Sequence, residues 1–139
     1  MRLDKALDAL RAEMAEGLSE GEAYDQLAVR VGAVFDELET TRCEMIARTE
    51  GSRATHAGDM MTAAESGVVK TVEWLASGDA CDKCEDFARK GPIPLGHKFG
   101  EDDYGVILHP PGHPNCMCSV TYGLKSADEI DEQAAADVA

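Results

Sequence analysis

Apolar residues recur at three- and four-residue intervals at the start of the chain, at Leu3, Leu7, Leu10 and Met14. That is the period of an amphipathic helix, and it predicts a first helix ending near Gly17. Ser19, followed three residues later by Glu22, has the form of a capping box opening a second helix. Ala23, Leu27, Val31, Val34, Phe35 and Leu38 would line one face of it. A third helix is expected from Thr40 or Thr41, with Ile46, Ala47, Thr49, Ala54, Ala57, Met60, Met61 and Ala64 available for its buried side. Its end falls at Ser66-Gly67, where glycine can take the left-handed cap. Three such helices predict an antiparallel bundle over residues 1–66.

The period then changes. Val68 to Leu75 alternates and is rich in β-branched residues, which predicts a strand. Ser77-Gly78-Asp79 is a turn, and a short helix starting at Cys84 would carry Phe87 and end at Gly91. Short extended pieces are expected around Ile93–Leu95 and Val106–Leu108, and Ser119-Val120-Thr121-Tyr122 reads as a final strand. From Ser126 on, acidic residues and alanines predict a tail without fixed structure. The fold class is therefore α+β: a helical bundle of about three helices at 1–66, a small zinc-clamped β unit at 67–124, and an acidic tail at 125–139.

The clamp is expected from two chelating corners. Cys81-Asp82-Lys83-Cys84 is followed by His113-Pro114-Asn115-Cys116-Met117-Cys118. Thiolate and imidazole donors in a two-plus-two arrangement suit tetrahedral zinc. Cys81 and Cys84 share one corner, and H-x-x-C gives His113 and Cys116 the same geometry. Cys118, two residues beyond Cys116, points to the same face of an extended chain and is an alternative ligand. His109 precedes Pro-Pro-Gly and reads as a surface or supporting residue rather than a ligand. Proline in the second corner fixes the turn, and Asn115 tolerates a left-handed backbone. Four or five protein donors for one ion favour a closed, structural Zn2+ over a catalytic one. The bland alternative is a set of buried thiols without metal, or a disulfide with spare cysteines.

Composition narrows the partners. Aromatic residues make up only 5% of the chain, so alanine, valine and methionine must fill most of the core. Thirteen basic against twenty-seven acidic residues give a net charge of -14, which argues against free-standing DNA binding. The five cysteines are an odd number, and Met1-Arg-Leu-Asp-Lys5 places charges where a signal core needs apolar residues. Metal ligands are therefore expected before disulfides, and no run reaches membrane-spanning length. Cys43, apart from the rest, reads as a small buried residue.

Other features have plain readings. Arg48-Thr49-Glu50 reads as polar helix surface, with Glu50 and Arg53 paired at i,i+3. Trp74, the single tryptophan, is expected to cover the junction of bundle and metal unit. Lys83, Arg89, Lys90 and Lys98 could offset thiolate charge or touch nucleic acid, and charge compensation is the more economical account. A zinc-deaminase reading would need H-x-E and P-C-x-x-C, but Gly58 and Ala80 stand where the glutamate and proline belong.

The order of parts between Arg42 and Tyr122 resembles the Mu F-like minor head protein family of tailed phages, also called phage head morphogenesis proteins. The resemblance is carried by the Ile46-Ala47-Arg48-Thr49-Glu50 helix, the Gly67…Lys70…Trp74 strand, and Asp79 before Cys81-x-x-Cys84. The Pro110-Pro111-Gly112-His113-Pro114-Asn115-Cys116-Met117-Cys118 close completes it. The family closes on H-P-N-C-R-C; Met117 stands in the arginine place, so any contact of that arginine is absent or supplied elsewhere. The resemblance implies a minor capsid component of the virion, present in few copies. It would associate with portal, scaffold or capsid proteins during assembly in the host cytoplasm, with transit alongside packaged DNA allowed and oligomerisation left open. Members are often longer, which makes the chain either a natural short form or an excised domain. No catalytic residue is implied. The competing classes are a metal-dependent enzyme or toxin-associated domain, deaminase-like or nuclease-like, and a nucleic-acid-binding zinc module.

Overall fold

The computed structural model describes residues 3–35 and 40–138. Along the chain run α1 (Leu3–Ser19), α2 (Tyr24–Val34), α3 (Thr40–Ser66), β1 (Val69–Leu75), α4 (Asp82–Arg89), β2 (Ile93–Pro94), β3 (Gly100–Asp102), β4 (Gly105–Ile107), β5 (Ser119–Leu124) and α5 (Ala127–Val138). The class is α+β, with five helices among the described residues. The chain divides into two compact units: residues 1–54 with the turn His113–Cys116, and residues 55–112 with 117–139.

In the first unit the helical period holds in part: Leu7 and Ala23, expected on buried faces, are exposed, and Ala6 is buried beside the predicted stripe. Met14, Leu27, Ala28, Val31, Cys43 and Ala47 form the buried cluster, with Leu10, Leu18, Phe35 and Ile46 packed against it. Cys43 is thus a small core residue. The side chain of Leu3 and all of Leu38 lie outside what is described. On α3 the buried ladder is Cys43, Ala47 and Gly51, successive i,i+4 positions. Gly51 has functional smallness here: a Cβ would sit 3.1 Å from the Tyr24 ring. Gly17 is tighter still, because a Cβ would stand 2.4 Å from Leu27 Cδ2. Farther along α3 the expected burial is not found at Ala54, Met61 and Ala64, which are exposed, while Ala63 is buried.

The capping box expected at Ser19 and Glu22 does not form. Ser19 ends α1 and its hydroxyl donates back to the Glu16 carbonyl at 2.8 Å. The next helix starts at Tyr24, where Gln26 Oε1 accepts the Ala23 N–H at 2.9 Å. Glu22 is engaged elsewhere: its carboxylate takes Arg30 Nε at 2.8 Å and Nη2 at 2.9 Å. Arg30 also reaches Glu13 at 2.9 Å and Glu20 at 3.0 Å, tying the α1–α2 hairpin together. A guanidinium with five donors satisfies this carboxylate ring as a lysine would not.

The Arg30 hydrogen bond holds the Glu22 carboxyl below its usual range, against an opposing push from desolvation. A depressed carboxylate stabilises the fold above its unfolded pKa, and that contribution disappears as pH falls through the folded value. Denaturant titration of the full chain between about pH 7 and about pH 3 should therefore show stability falling with acid. Arg30→Met should lower stability at neutral pH and flatten that acid branch. An unchanged acid branch would show that the guanidinium is not its source.

In the second unit, β2-β1-β5 is an antiparallel sheet. Its register sets Trp74 opposite Val120 and Val72 opposite Tyr122. Alternation along β1 buries Val72 and Trp74 on one face. Trp74 packs edge-on to Phe87 and Phe99, with centroids 5.0 and 5.1 Å away. The tryptophan is thus the centre of an aromatic cluster within this unit. In the hairpin β3–β4, β4 overlaps the extended piece expected at Val106–Leu108 whereas β3 was not expected; the chain turns at Asp103-Tyr104, and Gly105 opens β4 at φ 122°.

The tail expected to lack structure is α5. Ser126 and Glu129 form a reciprocal capping box: Glu129 Oε2 accepts the Ser126 N–H at 2.8 Å, and Ser126 Oγ accepts the Glu129 N–H at 3.2 Å. Lys70 pairs with the same glutamate. No residue of α5 is buried, so capping and charge pairing rather than packing shape it.

Candidate metal centre

The two-residue spacing of the first corner acquires a local reason in α4. Cys81 is the N-cap and Cys84 the third helical residue, so both thiols stand in the first turn. Cys81 is exposed and Cys84 fully buried. The helix begins two residues earlier than its sequence suggests, with Asp82 and Glu85 adding acid to its first turn.

The second corner is a tight turn in which the Cys116 N–H donates to the His113 carbonyl at 3.2 Å. Asn115 sits at φ 61°, the left-handed region that asparagine tolerates. His113 Nδ1 lies 2.8 Å from the Pro114 carbonyl. A carbonyl only accepts, so Nδ1 carries the proton and the Nε2 lone pair is left for a metal. Cys118 enters β5 with its sulfur 4.0 Å from the Ser77 hydroxyl.

The predicted donors come together in two overlapping groups. Cys81, Cys84 and His113 form one, and Cys84, Cys116 and Cys118 the other, with ligand atoms in each within 4.8 Å of one another. Two thiolates each about 2.3 Å from a tetrahedral ion stand about 3.8 Å apart, so the groups fit a metal after small side-chain adjustments. Cys84 is the residue common to both. Soft sulfur and imidazole donors without a carboxylate suit a closed site.

His109 joins neither group among the described residues. Its Nδ1 meets the Pro110 carbonyl at 2.7 Å and its ring stacks on His56 at 6.4 Å. His56, the histidine of the deaminase reading, is thereby occupied outside the donor groups. The basic residues expected to offset thiolate charge each meet an oxygen atom. Lys83 donates to the Gly112 carbonyl at 2.8 Å and pairs with Asp102 at 3.2 Å. Arg89 pairs with Glu85 and Asp86, Lys98 with Glu101, and Lys90 with the Phe99 carbonyl. The Tyr104 backbone N–H, with Lys83 behind it, holds the Asp102 carboxyl below its usual range.

Sequence reasoning missed one pair of residues at the second corner. Thr49 is buried, and its hydroxyl donates to the Met45 carbonyl at 2.7 Å while accepting the Asn115 N–H at 2.7 Å. Arg48 Nη1 donates to Asn115 Oδ1 at 3.0 Å. The expected Glu50–Arg53 pair is present at 3.4 Å, but Arg48 and Thr49 are no plain polar surface. The only hint was a threonine inside a helix, where its hydroxyl must find a carbonyl four residues back.

These features define an α+β protein with a cysteine–histidine cluster able to hold a metal ion. A model of the family described as Phage Mu protein F like protein matches residues 8–121, and the chain belongs to that family. It is 29% identical to the protein named minor head protein GP7 of Bacillus phage SPP1, over 88% of this chain and 45% of that relative. The chain thus spans less than half the length of this curated relative. No solved structure matches.

Proposed function

We propose that the protein is a non-enzymatic structural component of a phage head, acting in capsid assembly at the portal vertex. The family match over residues 8–121 carries this reading, and the relative named as a minor head protein supports it. Its partners are portal, scaffold or capsid proteins, and its place is the virion, reached through the host cytoplasm. A net charge of -14 limits adhesion to DNA passing through the portal, consistent with at most transient contact or shared ejection. No described helix is long and apolar enough to cross a membrane.

One structural zinc ion belongs to this reading. Cys81, Cys84, His113 and Cys116 are the four donors, with Cys118 the alternative to one of them. The ion would cross-link segments that a small core cannot fix alone. The working division is a helical region at 1–66, a zinc-binding unit at 67–124 and an acidic segment at 125–139.

Quantitative mass spectrometry on purified heads of the encoding phage tests the role. The chain should be present in few copies relative to the major capsid protein, at a fixed ratio to the portal. Its absence from heads at every assembly stage would overturn the assignment. Retention on DNA that weakens steeply with added salt would instead mark a nucleic-acid-binding zinc module.

A further inference from the structure

The metal reading leaves Arg48 and Thr49 without a purpose, although both hydrogen-bond to Asn115 in the second corner. We infer that Thr49, assisted by Arg48, is the positioning residue of the H-P-N-C turn and sets its affinity for metal. The inference rests on the metal reading above.

Asn115 is held at both of its polar ends. Its backbone N–H donates to Thr49 Oγ1 at 2.7 Å, and its side-chain carbonyl accepts from Arg48 Nη1 at 3.0 Å. Thr49 is in turn oriented by its donation to the Met45 carbonyl at 2.7 Å, which aims the oxygen lone pairs away from the helix. Arg48 is steadied over the Tyr24 ring, 5.8 Å from its centroid. Asn115 is the residue that carries the positive φ, 61°, and it lies directly between Pro114 and the ligand Cys116. A left-handed residue is the one most easily lost from a turn when nothing holds it. Fixing it sets the direction in which the chain leaves toward the Cys116 thiol, without either clamp residue touching the metal.

Supporting residues of this kind typically change metal affinity by about 10–100-fold when removed. Zinc competition against a chromophoric chelator, on the full chain, reads that effect. Thr49→Val keeps the shape and removes the acceptor, so it should bind zinc at least about tenfold more weakly, with more rapid exchange of the Asn115 amide. Thr49→Ser keeps the hydroxyl and should restore affinity to within about threefold of the original chain. Because burial at Thr49 puts folding at risk, the exposed Asn115 supplies a second pair. Asn115→Gly, which accepts positive φ and keeps the N–H, should bind zinc more tightly than Asn115→Ala. Circular dichroism of each metal-free variant separates a local loss from an unfolded helix.

If the unmodified chain takes up no zinc, the metal reading falls and this inference falls with it. If the unmodified chain binds zinc and Thr49→Val binds it equally well, the metal reading stands and the positioning role is overturned. Equal affinities for Asn115→Gly and Asn115→Ala would overturn it by the second route.

Discussion

On the proposed zinc reading, replacing Cys84 with alanine is expected to lower zinc affinity more than any other single cysteine substitution. The reason is geometric: Cys84 is the one donor shared by both groups of ligand atoms, whereas Cys81, His113, Cys116 and Cys118 each belong to one. Whichever set an ion selects, Cys84 is in it. Structural zinc sites have apparent binding free energies of about 10–16 kcal/mol, or about 2.5–4 kcal/mol for each of about four ligands. That corresponds to a fall of roughly a hundredfold or more in affinity. Cys118→Ala is the informative control, since Cys116 occupies the same strand approach and should retain most of the binding. Competition with a chelator at neutral pH reads both. A Cys84→Ala chain that holds zinc as tightly as the original would show that the two groups do not describe the site.

The second large effect is on stability. Trp74 is 1% exposed and meets two phenylalanine rings edge-on. Truncation to alanine should cost about 3–5 kcal/mol, a large share of the about 5–15 kcal/mol that holds an ordinary domain together. Trp74→Phe should cost much less. It keeps an aromatic surface against Phe87 and Phe99, and it removes a buried indole Nε1–H that has no hydrogen-bond partner among the described residues. Denaturant unfolding followed by circular dichroism, with metal held constant, gives the comparison. A loss below about 1 kcal/mol for Trp74→Ala would mean that the aromatic cluster does not stabilise the second unit.

Both effects are rooted in parts of the chain that were legible before any coordinates. The alternation of Val72 and Trp74 places both on the buried face of β1, and Cys81-x-x-Cys84 puts two thiols in one helical turn. Those signals are local, because period and spacing alone set which side chains share a face. What failed was competition between partners. Ser19-x-x-Glu22 has the form of a helix start, yet Arg30, eight residues after Glu22, takes that carboxylate and the helix opens at Tyr24. The same motif at Ser126-x-x-Glu129 does cap a helix, in a stretch whose acidic composition suggested none. The engagement of Thr49 with Asn115, sixty-six residues away, has no local signature. Hydroxyl and amide meet only once the chain has folded, so no period or spacing could reveal them.

Metal content on freshly purified, tag-free protein, with thiols counted before and after chelation, is the decisive experiment. About one zinc per chain is expected, with cysteine thiols protected until the chelator removes it. Protein free of metal, with its thiols freely reactive or joined as disulfides, would contradict the zinc clamp and leave family membership to stand without it.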